Sequence, residues 1–202
     1  MLPRCYTPPV NGRAGGLTAA ALLLAGTTGL VAYRTGPLPA MTGGFGEPTC
    51  HQCHFDSPVN DRAGALALEG VPETSEPSRE YPITIVVRRP AIARAGFELA
   101  VRYAEGPHAG EQAGRLRAAD ERTQVISAPG SSVLYIQHTA AGSETTSPGE
   151  GRWTVFWTAP AQPAGAVVLH AAANAANGDE SPLGDFVYTA EQRVGADVRR
   201  PD

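Results

Sequence analysis

An immunoglobulin-like antiparallel β-sandwich is the architecture to expect from this chain, on three grounds. Short runs with strand character recur between residues 65 and 189. Clusters of Gly, Pro, Ser, Asp and Asn separate them at the spacing of sandwich turns. Gly (23) and Pro (18) together make up about a fifth of the 202 residues, and no apolar stripe persists over four helical turns, so a helical bundle is disfavoured. With 42% hydrophobic and 18% charged residues, the chain is neither a disordered polar tail nor a polytopic membrane protein. The net charge is −4 and all 16 basic residues are Arg. Without a basic stripe, nucleic acid is not an expected partner.

The first 40 residues differ from the rest. Arg4 and Arg13 precede an uncharged stretch from Ala14 to Tyr33, densest in apolar residues from Leu17 to Ala25. A basic start, a short apolar centre and small residues after it describe an export signal. The uncharged stretch is also long enough to span a bilayer, so residues 14–33 act either as a cleaved signal or as a membrane tether. Cleavage after Ala32 or Ala40 fits the small-residue preference. Either way the bulk of the chain is expected outside the cytoplasm, in the periplasm or at the cell surface. Loss of residues 1–40 removes Arg4, Arg13 and Arg34 and takes the net charge from −4 to −7.

Residues 41–60 form a Gly/Pro-rich approach and a Cys/His cluster. The sandwich then occupies 61–190. Its strands are Ala65 to Val71, Tyr81 to Arg88 (YPITIVVR), Gly96 to Tyr103 (GFELAVRY), Gln124 to Ser127, Val133 to His138 (VLYIQH), Trp153 to Thr158 (WTVFWT), Ala166 to Ala172 and Asp185 to Thr189. β-Branched and aromatic residues or period-two alternation support each of the stronger ones. Trp153 and Trp157 are four apart, hence on one face of a strand and expected in the core. Residues 191–202 are expected to be a frayed tail.

Cys50, Cys53 and His54 form C-x-x-C-H, the attachment pattern of c-type haem. Two thiols add across two haem vinyl groups, and the adjacent His54 is placed under the iron as proximal ligand. Attachment of this kind takes place outside the cytoplasm, where the leader sends the chain. A Cys50–Cys53 disulfide of the thioredoxin type needs a βαβ context that is missing, and zinc needs a second ligand pair. Cys5 precedes the apolar stretch and is an unremarkable leader residue. The sixth iron ligand is sought among His51, His108, His138, His170 and Met41. His51 sits inside the attachment turn, His108 in a Pro/Gly loop, and His170 inside a strand as a half-buried side chain. Met41 lies nine residues before Cys50. His138 ends a strand, where a side chain can project from the sandwich edge, and is the expected ligand; an open sixth position is the alternative. Asn174 to Asp185 (NAANGDESPLGD) misses the EF-hand spacing and reads as a polar hairpin. Asp120 and Glu121 are adjacent and so cannot act as an acid/base pair on one face.

The run TGGFGEPTCHQCH (Thr42 to His54), then YIQHT (Tyr135 to Thr139), WTVFWTAP (Trp153 to Pro160) and AANAANGDES…GDFVYT (Ala172 to Thr189) resembles bacterial exported proteins of the Reeler-like, choice-of-anchor V type. The resemblance spans about residues 42–190. It implies an immunoglobulin-like sandwich with one covalently bound haem c on Cys50, Cys53 and His54, and it supports His138 as a site residue. The family commonly ends in a sorting anchor; here a tether is expected from the N-terminal segment instead. The activity to expect is that of a monohaem c-type cytochrome-like electron carrier with a redox partner protein, rather than a catalyst. A surface binding or adhesion module with a structural or sensory haem is the alternative.

Overall fold

The computed structural model describes residues 33–196. Of the leader only 33–40 fall within this range, so neither signal cleavage nor a tether at 14–33 is addressed beyond Tyr33. Among the described residues no helix is long and apolar enough to cross a membrane. The strands are β1 (Ala65–Glu69), β2 (Thr74–Ser75), β3 (Glu80–Arg88), β4 (Arg94–Tyr103), β5 (Arg115–Ala118), β6 (Thr123–Ser127), β7 (Leu134–His138), β8 (Glu150–Thr158), β9 (Val167–Ala176) and β10 (Phe186–Ala196). They form two sheets, ordered β1-β3-β8-β5 and β2-β10-β9-β4-β7-β6. Strand pairing is antiparallel throughout except for β10 with β2. The all-β sandwich expected from the sequence is what the chain forms.

Period-two side-chain alternation decides which faces meet. In β8, Trp153, Val155 and Trp157 are buried while Arg152, Thr154 and Phe156 are only partly covered. Ile83, Ile85 and Val87 of β3 join them from the same sheet. Phe97, Leu99 and Val101 of β4 and Leu169, Ala171 and Ala173 of β9 supply the opposite face of the core. Trp153 meets Phe97 at 4.7 Å between ring centroids, and its Nε1 donates to Gly142 O at 2.8 Å. Trp157 stacks on Tyr81 and donates from Nε1 to Ala113 O at 2.9 Å, so both indoles bury their polar atom satisfied.

The six-stranded sheet departs from the simple sandwich. Every β4 residue from Ala95 to Arg102 is buried, including Glu98 and Arg102. The chain N-terminal to β1 forms a third layer over the outer face. Gln124 Nε2 of β6 donates to Thr35 O at 2.6 Å, and Met41 N donates to Glu98 Oε1 at 2.8 Å. Phe45 meets the His170 ring edge-on, and Asn60 exchanges hydrogen bonds with Thr189 of β10. The strap thus crosses the sheet from β6 to β10.

Three boundaries differ from the sequence reading. Residues 33–40, assigned there to the leader, pack on the sandwich. β10 continues to Ala196, seven residues beyond Thr189, the expected last strand residue, because Gly195 and Ala196 pair with Thr74 and Ser75 of β2. β5 was not anticipated: its RLRA sequence buries only Leu116 and relies on hydrogen bonding to β8 at the sheet edge.

Trp157→Ala leaves a cavity beneath Tyr81 and an unpaired Ala113 carbonyl. Urea unfolding should show a loss of about 3–5 kcal/mol; a loss below about 1 kcal/mol would remove the tryptophan from the core account.

Candidate functional site

The cysteine motif is shaped by the loop before it. Thr42 and Thr49 bridge in antiparallel fashion, and Gly43 N donates to Pro48 O at 2.9 Å. Gly43 (φ 79°) and Gly46 (φ 81°) occupy the left-handed region that closes this loop and that glycine adopts without a Cβ clash. Thr49 then caps a 3₁₀ turn over Cys50–Gln52, its hydroxyl accepting the His51 N–H at 3.2 Å. Cys53 N and His54 N both donate to Cys50 O, at 3.2 and 3.0 Å. This turn folds Cys53 and His54 back beside Cys50, and both thiols are free.

A cluster of hydrogen bonds holds the loop to the sheet. The Glu47 carboxylate is bound by Arg102 Nη2, by the Tyr135 hydroxyl at 2.5 Å and by the Thr42 hydroxyl at 2.6 Å. Arg102 also donates to Tyr135 Oη at 2.8 Å. Burial alone would raise the Glu47 carboxyl; hydrogen bonds from Thr42, Tyr135 and Arg102 outweigh it and hold the group below its ordinary value. The acid is therefore ionised against Arg102 and fixes the motif over β4 and β7.

Cys50, Cys53, His54 and His138 line one cavity of about 490 Å³. That volume lies within the about 300–1,000 Å³ of ordinary ligand sites. Its apolar walls come from Pro37, Leu38, Met41, Ala95, Phe97 and Pro182. The structure therefore brings together all four site residues expected from the sequence, and Met41 with them. The other candidates lie elsewhere. His51 Nε2 is 3.0 Å from Ser57 O, His108 pairs with Glu111 in its exposed loop, and His170 pairs with Glu191 at 3.2 Å.

His138 is 6% exposed. Its Nδ1 lies 3.1 Å from Phe97 N and 3.2 Å from Phe97 O. Burial lowers its pKa, partly offset by hydrogen bonding to the backbone of Phe97 and Tyr33. The ring is thus neutral, the form that ligates metals. It packs against Gly96, where a Cβ would stand 2.4 Å from His138 Cε1. His54 Nδ1 is 2.7 Å from Asp185 Oδ2, and Asn174 Nδ2 lies 3.3 Å from the same nitrogen. Asn174 Oδ1 is buried without a hydrogen-bond partner. The sequence reading placed Asn174 and Asp185 in a polar hairpin and missed both as partners of His54. The only signal for them was parity: Asn174 and Asp185 point to the same outer face when β9 and β10 pair.

Burial and the nearby Glu98 carboxylate push the Cys50 thiol up to about 12, so it is protonated at neutral pH. A thioredoxin-type motif works through a stabilised thiolate, and this environment opposes one. Among the described residues no three His, Cys, Asp or Glu side chains gather as a bare metal ion would require. A haem brings four nitrogens of its own and asks the protein only for axial ligands and, here, two thiols. The donor set fits that demand.

Neither a family model nor a curated protein matches the chain. Among solved structures, it is similar to the reeler domain of human F-spondin (24% identity, TM-score 0.44, covering 66% of this chain and 89% of that one). The Reelin-N domain of F-spondin is similar at 22% identity and TM-score 0.46, covering 72% and 96%. A cohesin module of a Clostridium perfringens family 33 glycoside hydrolase follows at 11% identity and TM-score 0.43, covering 66% and 96%. Likenesses this distant give no ground for function, which rests on the site.

Glu98 is fully buried, and burial is the largest cause of its rise from 4.5 to about 8. Folding therefore favours the protonated acid, and stability falls as pH rises from about 4.5 to about 8, by up to about 1.4 kcal/mol per unit. Glu98→Gln should flatten that decline. Thermal melts at pH 5 and pH 8.5 should show the variant gaining relative to wild type only at the higher pH; equal shifts at both would contradict the assignment.

Proposed function

We propose that this chain is an exported protein carrying one covalent haem c, a monohaem c-type cytochrome-like carrier that exchanges single electrons with a redox partner protein. Cys50 and Cys53 are the attachment residues, His54 the proximal ligand and His138 the sixth ligand. The observation that supports this most is that both thiols, His54 and His138 line a single largely apolar cavity.

Attachment needs reduced thiols, and both are free. Each thiol would add across one vinyl group, its sulfur bonding one carbon and its proton passing to the other, with no oxidant or reductant consumed. The bound group supplies a one-electron Fe(III)/Fe(II) couple. The chain's part is to hold it. The Cys50–His54 turn would hold it through Cys50, Cys53 and His54. His138 is oriented by hydrogen bonds to the backbone of Phe97 and Tyr33, and would ligate through the nitrogen that Phe97 leaves over, giving up its bond to Tyr33. Pro37, Leu38 and Phe97 supply apolar wall. A protein ligand on both axial positions suits electron transfer rather than chemistry at the iron, and bis-His ligation favours a lower potential than His/Met.

Within the folded body the strap residues 33–40 supply part of the cavity wall, so the shorter leader, ending at Ala32, is the one that leaves the site whole. The acidic balance would steer a positively charged partner at a rate that falls with salt.

Protein matured with haem-attachment machinery should give a six-coordinate low-spin spectrum unchanged by CO. His138→Ala should turn it high-spin and CO-reactive; an unchanged spectrum would eliminate His138 as ligand. CO binding by the wild type would point to an open site and away from simple electron transfer. A matured, folded chain lacking haem would leave a surface binding module. Gly96→Ala tests the same ligand indirectly. Its methyl overlaps the His138 ring, so the variant should reproduce part of the high-spin signal; a wild-type spectrum would show that the ring is not held there.

A further inference from the structure

The charge partner of His54 stands out from its surroundings. The Asp185 side chain is 1% exposed. Among the described residues its only ion-pair partner is His54, with no Arg beside it. Three donors converge on the carboxylate: His54 Nδ1 at 2.7 Å and Asn174 Nδ2 at 3.1 Å on Oδ2, and Asn177 N at 3.0 Å on Oδ1. A buried carboxylate without a fixed cation is costly unless its hydrogen bonds are good. One of the three bonds closes the hairpin after β9. The shortest does nothing for the hairpin; it reaches across to the cysteine motif.

We propose that Asp185 is the positioning residue of His54, an inference that rests on the haem reading above. By accepting the Nδ1–H it fixes the tautomer, keeps Nε2 unprotonated and sets the ring plane. As an anion on the far side of the imidazole, it makes Nε2 a stronger electron donor than a neutral carbonyl acceptor would. A stronger donor stabilises the ferric state, so the midpoint potential is lowered. Asn174 holds the carboxylate in place: its Nδ2 donates to Asp185 Oδ2 at 3.1 Å and rests against the edge of the His54 ring, 3.3 Å from Nδ1 and 3.4 Å from Nε2. The polar hairpin therefore serves the cofactor site as well as the turn.

Asp185→Asn tests this in the haem-loaded full chain. The Asn oxygen can keep the bond from Asn177 N, so the hairpin survives, while the negative charge on His54 is lost. The expected result is retained haem and a potential raised by about tenfold in the Fe(III)/Fe(II) equilibrium, about 59 mV for one electron. An unchanged potential with haem in place overturns the role of Asp185 and leaves the haem reading standing. Should Asp185→Asn fail to fold, nitrogen NMR of the reduced, haem-free wild-type chain decides the point. His54 protonated on Nδ1 supports the inference, and His54 protonated on Nε2 overturns it. A wild-type chain that acquires no haem overturns both readings.

Discussion

The Glu47–Arg102 pair, closed by the Tyr135 and Thr42 hydroxyls, is the contact on which the site depends. It is joined by the Phe45 ring against His170 and by Met41 N on Glu98, but it is the one ion pair that ties the loop from Thr42 to Thr49 to the sheet among the described residues. Such a pair is a poor source of net stability, since desolvating two charges consumes most of the attraction. Its value is positional. A guanidinium fixed near the end of β4 binds one carboxylate in one place. The turn over Cys50–Gln52, only three residues on from Glu47, inherits that place. The third layer over the outer sheet face is thus a consequence of side chains that β4 presents outward.

That layer explains where sequence reasoning was accurate and where it stopped. β8 was legible because Trp153, Val155 and Trp157 alternate with residues facing solvent, and solvent does lie on that side. β4 shows the same alternation, GFELAVRY, yet its polar face is buried. Period two reports which residues share a face. It does not report what covers the face, and here the cover comes from a Gly/Pro-rich segment with no periodicity of its own. The Cys50-x-x-Cys53-His54 motif and His138 were legible because local pattern marks them: a fixed spacing in one case, a strand end in the other. Asp185 and Asn174 were not, because their role is created by β9–β10 pairing and by a contact across 120 residues of chain between Asn174 and His54.

Cavity, thiols and imidazoles together support the proposal of one planar group held by an edge and both faces. The thiols are unbridged and the Cys50 thiol is pushed towards its protonated form, which would suit a residue that reacts once during the proposed maturation. The buried imidazole of His138 is preset by the backbone of Phe97 and by the absence of a side chain at Gly96.

Intact mass of the chain matured alongside haem-attachment machinery, followed by mapping of the peptide that holds Cys50 and Cys53, tests the central claim most directly. The account predicts one porphyrin bonded through both sulfurs. A peptide carrying two free thiols, or a disulfide between them, would contradict it.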